Sequence, residues 1–257
     1  MLHDSAKLGG LTLHATDGEI GHVDDMYFSD DTWTIRYLVV DTGGWLTGRK
    51  VLISPRAVRS LDFDRGELRL DLTRDRIRES PDFDSAKPVS RQYETEFFGH
   101  YGYPYYWTGP YLWGAGEYPA APGTLRRAGG LGGDGPQRAE RKRAKGDPHL
   151  RSAKEVSGYR IEATDGEIGH IETFLFDEAS WAIDAIVVDT RNWWPGKHVV
   201  VSPHWIEEID WAARHARVRV SRDRIRTSAE YEPQSAATDE GRRQLQERIA
   251  HVLHFGD

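Results

Sequence analysis

The sequence predicts an all-β protein made of two small barrels in tandem, and three observations carry the prediction. First, Ala15-Thr16-Asp17-Gly18-Glu19-Ile20-Gly21-His22 returns letter for letter as Ala163-Thr164-Asp165-Gly166-Glu167-Ile168-Gly169-His170, 148 positions later. The same shift pairs Trp33 with Trp181, Val39-Val40-Asp41-Thr42 with Val187-Val188-Asp189-Thr190, Ser54-Pro55 with Ser202-Pro203, and Arg74-Asp75-Arg76-Ile77-Arg78 with Arg222-Asp223-Arg224-Ile225-Arg226. Second, each copy reads as short apolar runs of period two, bounded by Gly, Asp and Pro. Third, each copy holds five or six such runs within about 75 to 80 residues, too long for a solenoid repeat and suited to closure into a barrel, which removes aggregation-prone edges. A unit that small buries a modest core and leans on a partner surface, here the other copy, so the two barrels are expected to pack on each other.

The elements follow in order. Leu11 to Ala15 and Tyr159 to Ala163 open each copy. Asp17-Gly18 and Asp165-Gly166 supply the pair that tight hairpin turns favour, because both residues tolerate positive φ. Glu19 to Phe28 and Glu167 to Phe176 return. Ile20 and Val23 sit three apart, which strict alternation places on opposite faces; a bulge at Gly21 turns both inward, and Ile168, Gly169 and Ile171 repeat the device. Trp33 to Asp41 ends in consecutive β-branched residues, as a strand buried on both sides does. After a Gly-containing loop come Lys50 to Ile53 and His198 to Val201, stopped by Pro55 and Pro203, which have no donor for a ladder. Val58 to Phe63 and Glu67 to Leu72 form a last hairpin around Asp64-Arg65-Gly66, whose glycine the second copy replaces with Arg214. Thr73 and Ser221 cap a short helical turn.

Between the copies the composition changes. Phe97 to Tyr118 is dense in Tyr, Trp, Gly and Pro, and Ala120 to Pro148 is rich in Gly, Ala, Arg and Pro with a basic cluster at Arg138, Arg141, Lys142, Arg143 and Lys145, a linker composition. Leu245, Ile249, Val252 and Leu253 recur at helical spacing and predict one amphipathic C-terminal helix over Asp239 to Leu253. The expected organisation is a first barrel at 1–84, a linker at 85–152, a second barrel at 153–232 and a tail at 233–257.

The chain has 257 residues, no Cys and a net charge of −7. No disulfide or thiolate chemistry is open to it, and a reducing compartment is the simpler expectation. The start lacks the basic and apolar stretches of a signal peptide, and no apolar run approaches the roughly 20 residues that span a bilayer, so a cytoplasmic location is expected. Net acidity argues against a general nucleic-acid binder.

Taken together, the Asp-Gly-Glu-Ile-Gly hairpin, the strand ending Val-Val-Asp-Thr, the Gly-rich loop, Lys50-Val51-Leu52-Ile53-Ser54-Pro55, the run Gly66-Glu67-Leu68-Arg69-Leu70-Asp71-Leu72-Thr73-Arg74-Asp75-Arg76-Ile77 and Ser80-Pro81-Asp82-Phe83 resemble the PRC-barrel domain. The resemblance covers residues 5–84 and 153–232. That fold occurs in the cytoplasmic part of the photosynthetic reaction centre H subunit and in the C-terminal domain of a ribosome maturation factor. The resemblance implies a small β-barrel that serves as an adaptor, with no general catalytic residue set. The membrane helix of the H subunit and the N-terminal domain of the ribosomal factor have no counterpart here, which leaves a stand-alone tandem protein of bacterial type.

Several residues are candidates for function. His22 and His170 occupy equivalent positions beside Glu19 and Glu167, types that serve as general base or metal ligand. One His and one Glu per copy fall short of the usual three or four ligands, so a strand histidine at a surface or seam is the preferred reading. Asp41 and Asp189 are read as turn caps. Arg76 and Arg224, each within an arginine triplet, could take an acidic surface or a phosphate, but intrachain pairing with the abundant carboxylates is the preferred reading. Trp107 and Trp113 in the aromatic stretch, and the adjacent Trp193 and Trp194 in the second Gly-bearing loop, fit an interface, where Tyr and Trp are favoured. No nucleotide-binding loop, Ser-His-Asp grouping or HExxH motif is present. The expected function is a non-enzymatic adaptor or scaffold that binds a protein partner, with no cofactor and no metal. The alternatives are a ligand- or metal-binding protein with its site at the interbarrel seam, and a ribosome- or RNA-associated factor, a partner class that the net charge disfavours.

Overall fold

A computed structural model describes residues 1–119, 149–190, 194, 197–227, 230–232 and 239–254. The chain divides into two units. The first holds Gly9–Arg151 and Ala179–Trp181; the second holds Met1–Leu8, Ser152–Glu178 and Ala182–Asp257.

In the first unit, β2 (Thr12–Ala15), β3 (Gly18–Ser29), β4 (Thr34–Asp41), β5 (Lys50–Ile53), β6 (Val58–Asp62) and β7 (Glu67–Leu70) form one sheet in the order β5-β4-β3-β2-β7-β6. The pairs are antiparallel except β2 with β7, which run parallel. The two ends of the sheet are joined through the short 3-10 turn Pro55–Ala57, capped by Ser54. The second unit repeats the order with β9 (Arg160–Ala163), β10 (Gly166–Asp177), β11 (Ile183–Asp189), β12 (His198–Val201), β13 (Ile206–Asp210) and β14 (His215–Val218). The all-β reading with two sheet bodies holds, and most strand limits move by a residue or two.

The predicted bulge is present in both copies. Leu13 pairs with Gly21 and His14 with Glu19, so Ile20 is the extra residue, and Ile20 and Val23 are both buried. Gly169 pairs with Ile161 and Glu167 with Glu162, leaving Ile168 extra. The bulge glycine is required by proximity as well as by its φ of 141°: a Cβ on Gly21 would lie 2.0 Å from the Asp41 carbonyl oxygen, and on Gly169 1.9 Å from that of Asp189. The hairpin aspartates act as distant caps. Asp17 Oδ1 accepts from the Arg74 amide and Asp165 Oδ1 from the Arg222 amide, both at 2.8 Å, fixing α1 (Arg74–Arg78) to its hairpin in the first unit.

Two features were not legible in the sequence. The first is an exchange of leading strands. β1 (Leu2–Asp4) precedes the first repeat but pairs with β10 of the second unit, in the register Leu2↔Asp177, His3↔Phe176, Asp4↔Leu175. β8 (Leu150–Ser152) precedes the second repeat but pairs with β3. Leu2 and Leu150, 148 positions apart, are both buried. His3 Nε2 meets Glu178 Oε2 at 2.9 Å, and at the equivalent place Arg151 Nε meets Asp30 Oδ2 at 2.8 Å.

The second is that the stretch read as a linker opens with a helix. α2 (Arg91–Tyr101) begins 148 positions before the C-terminal helix Asp239–His254, so the duplicated unit includes a helix. Phe97 and Tyr101 are buried in one; Leu245 and Ile249, at the same register, are buried in the other. Leu245 and Ile249 cluster with Leu2, Leu175, Ala185, Val187, Val200 and Tyr231. In the first unit the matching face is aromatic: Phe97 packs edge-on against Tyr37 at 5.2 Å, and Tyr27 against Phe83 at 5.9 Å. The predicted C-terminal helix is thus present, and it does for its sheet what α2 does for the other.

Candidate functional site

The residues after α2 build the most distinctive side-chain arrangement among the described residues. Gly102, at φ 69°, ends α2, and the chain returns through the 3-10 turn Tyr106–Thr108 to a tight knot in which Gly109 and Gly114 touch backbone to backbone. Beneath lie two arginines on strand and turn positions, Arg36 and Arg56, only 2% and 3% exposed. Arg36 donates to the Leu112 carbonyl at 2.5 Å and to Thr32 Oγ1 at 2.9 Å; its guanidinium stands 4.0 Å from the Tyr106 ring centroid and 5.0 Å from that of Trp113. Arg56 donates to the Trp113 carbonyl at 2.7 Å and lies 5.3 Å from the same indole. Aromatic faces and carbonyl oxygens thus replace the water that two buried cations lose. Burial lowers both arginine pKa values, and the Arg36 charge adds to the effect on Arg56, which falls to about 10.

A buried carboxyl adds a charge that favours the Arg36 cation. Glu94 of α2 is 0% exposed and accepts from the Tyr37 hydroxyl at 2.9 Å and the Tyr106 hydroxyl at 2.7 Å. Arg91 Nη1 and His149 Nε2 meet its other oxygen at 2.9 Å and 3.0 Å. Burial first, and the Glu94 charge second, push both tyrosines well above their usual range, so they stay neutral donors. The network holds the helix, the aromatic segment and the strand arriving at Leu150 on one carboxyl group.

On the outside of this layer Trp107 is half-buried, stacked on Tyr105 at 4.7 Å, with the Arg91 guanidinium 4.1 Å above its ring. Tyr111 is 51% and Tyr118 61% exposed. Trp113 belongs to the inside: it is 2% exposed, and its indole N–H donates to the Ser180 carbonyl at 2.7 Å. The expected interface pair is therefore split. Trp107 is at a surface, whereas Trp113 is a core residue, because its ring is the stacking partner of both buried arginines.

The other candidates are placed as follows. His22 is exposed and faces Asp41 across the β3–β4 ladder; His170 is half-buried and faces Asp189. Among the described residues no group of three or more His, Asp or Glu side chains is close enough to hold a metal ion. Arg76 is tied to α2: its guanidinium donates to the His100 carbonyl, while His100 Nε2 meets the Arg76 carbonyl oxygen at 2.9 Å. Arg224 rests 5.6 Å from the Trp205 ring centroid. Trp193 lies outside the described residues. The 148-residue register pairs it with Trp45, whose ring centroid lies 4.7 Å from the Arg74 guanidinium and 5.7 Å from that of Arg78. Trp194, the unmatched one, is half-buried, its amide bonded to the Thr190 carbonyl at 2.7 Å. What sequence reasoning missed is the Glu94–Arg36–Arg56 set; charged residues in a strand and an aromatic helix carry no signal of burial.

In the second repeat, Asp184 stands where Arg36 stands in the first. Burial, reinforced by the Asp177 carboxylate, raises its pKa to about 6. A carboxyl that ionises near pH 4 when unfolded then binds more protons folded than unfolded between about pH 4 and 6, so it subtracts stability as pH rises through that window. Asp184→Asn is expected to stabilise the protein at pH 7 by about 1–2 kcal/mol, after allowance for solvent screening, with the gain vanishing below about pH 4. Urea titrations of both proteins across that range test it; parallel stability–pH curves would contradict it.

Comparison with known proteins agrees with the architecture. Residues 4–77 match the model of the PRC-barrel domain. No curated protein matches the chain. No helix among the described residues is long and apolar enough to cross a membrane. A domain of this type points to an interaction or scaffold role in general terms. The chain thus carries a PRC-barrel domain at residues 4–77, and its second sheet body repeats the same strand order 148 residues on.

Proposed function

We propose that the protein is a non-enzymatic scaffold that binds a protein partner, and that the contact face is the aromatic layer of the first unit. The observation that carries this reading is the stack Arg91–Trp107–Tyr105, backed by the buried Glu94 network through Arg91. Trp, Tyr and Arg held rigidly at a surface are the residue types that dominate protein-interface energetics, because they bury large area at small entropic cost. Net charge −7 favours a protein over a nucleic acid as the occupant of the stack.

The test is affinity capture from native cells with the tagged full chain and its Trp107→Ala variant, followed by titration of the captured protein. Loss of a hot-spot tryptophan costs about 2 kcal/mol, so the variant should bind roughly 30-fold more weakly. Equal binding by both, or capture that disappears on nuclease treatment, would overturn the assignment.

A further inference from the structure

The arm Met1–Leu8 belongs to the first repeat in sequence and to the second unit in space. Its joint to the first repeat is Gly9–Gly10, both exposed; Gly10 sits at φ +82°, with nothing within 4 Å of the place a Cβ would occupy. An open glycine pair absorbs a change of direction at little steric cost. The seat of the arm, by contrast, is specific. Leu2 and Leu8 are 2% and 1% exposed. Asp4 accepts from Thr173 Oγ1 at 2.6 Å and from the Tyr231 hydroxyl at 2.7 Å, Ser5 Oγ lies 3.1 Å from Thr173 Oγ1, and the Phe174 amide donates to Ser5 Oγ at 3.2 Å. Every receiving residue is more than 160 positions from the arm, so the seat is indifferent to which chain supplies it.

We propose that the arm also docks in trans: two copies of this chain associate by each laying its Met1–Leu8 segment on the other's β10. The contacts made are the same as those within one chain, so the two forms differ mainly by the tether and by the hinge. Reciprocal exchange closes as a twofold pair and leaves neither β10 edge open. A short flexible tether gives the arm of the same chain an effective concentration of about millimolar. The exchanged pair therefore accumulates when chains fold together at high concentration. This partner is distinct from the one sought by the aromatic face, and the proposal does not depend on that reading.

The chain has no cysteine, which makes the test clean. Ser5→Cys and Thr173→Cys variants, with thiols at positions 9% and 7% exposed, are unfolded together, refolded at high concentration and oxidised. The expected product is a covalent heterodimer of twice the chain mass, absent when either variant is refolded alone. The Ser5→Cys/Thr173→Cys double variant, refolded dilute, should give a cross-linked monomer. A cross-linked double variant without heterodimer in the mixture overturns exchange between chains. A double variant that fails to cross-link overturns the seating of the arm and the proposal with it.

Discussion

Glu94→Ala should destabilise the first unit by about 3–5 kcal/mol, the cost of removing one partner from a buried charged network. The carboxyl is 0% exposed and gathers Tyr37, Tyr106, Arg91 and His149. Its loss takes the acceptor from the Tyr37 hydroxyl and one of the partners of the Tyr106 hydroxyl, and leaves the Arg91 and His149 side chains without their carboxylate. Glu94→Gln keeps an acceptor for the tyrosines but not the charge, and should fall between. Urea unfolding followed by tryptophan fluorescence measures the series. An alanine variant within about 1 kcal/mol of the parent would show that the network is worth no more than an ordinary hydrogen bond.

Gly21→Ala is the second large effect. The added Cβ would lie 2.0 Å from a backbone oxygen, 2.9 Å from the Asp41 carbonyl carbon and 2.9 Å from Thr42 Cα. No side-chain rotation relieves that, so β3 and β4 must part where His22 faces Asp41. A cost of about 3 kcal/mol or more is expected, at the upper end of overpacking. Gly66→Ala is the control: φ is +68° and the surroundings are open, so only the left-handed backbone is penalised, by about 1–2 kcal/mol. Equal losses in the two variants, read from thermal and urea midpoints, would refute the role assigned to close strand contact.

The contrast between these two sites shows what one sequence reveals. Gly21 was readable because two copies retain it beside a broken alternation, Ile20 and Val23, that only a bulge reconciles. Strands with local pairing were readable for the same reason: period two, turn residues and a stopping proline all act within a few positions. Glu94 was not, because the groups that justify its burial come from residues 37, 106 and 149, and nothing near it announces them. α2 hid for another reason. It matches the C-terminal helix only in burial, Phe97 with Leu245 and Tyr101 with Ile249, and shares none of those identities. β1 is a three-residue strand whose partner begins some 170 positions away, beyond the reach of any local pattern. Of the candidate residues, Trp107 is at the proposed face, Trp113 is core, and His22 and His170 each lie opposite an aspartate without further assembly.

The exchanged leading strands also bear on how the two copies can diverge. After a duplication, each copy is ordinarily free to drift by itself. Here each half supplies a piece of the other's sheet, so the arm of one copy and the long strand of the other must change in concert. The record of that is already visible: one exchanged strand brings His3 to Glu178, the other brings Arg151 to Asp30. An arm spliced into the wrong half would set the shorter imidazole against the shorter carboxylate, and the long guanidinium against the longer one. A half cut at the repeat boundary would leave its own sheet without the strand that the other half supplies.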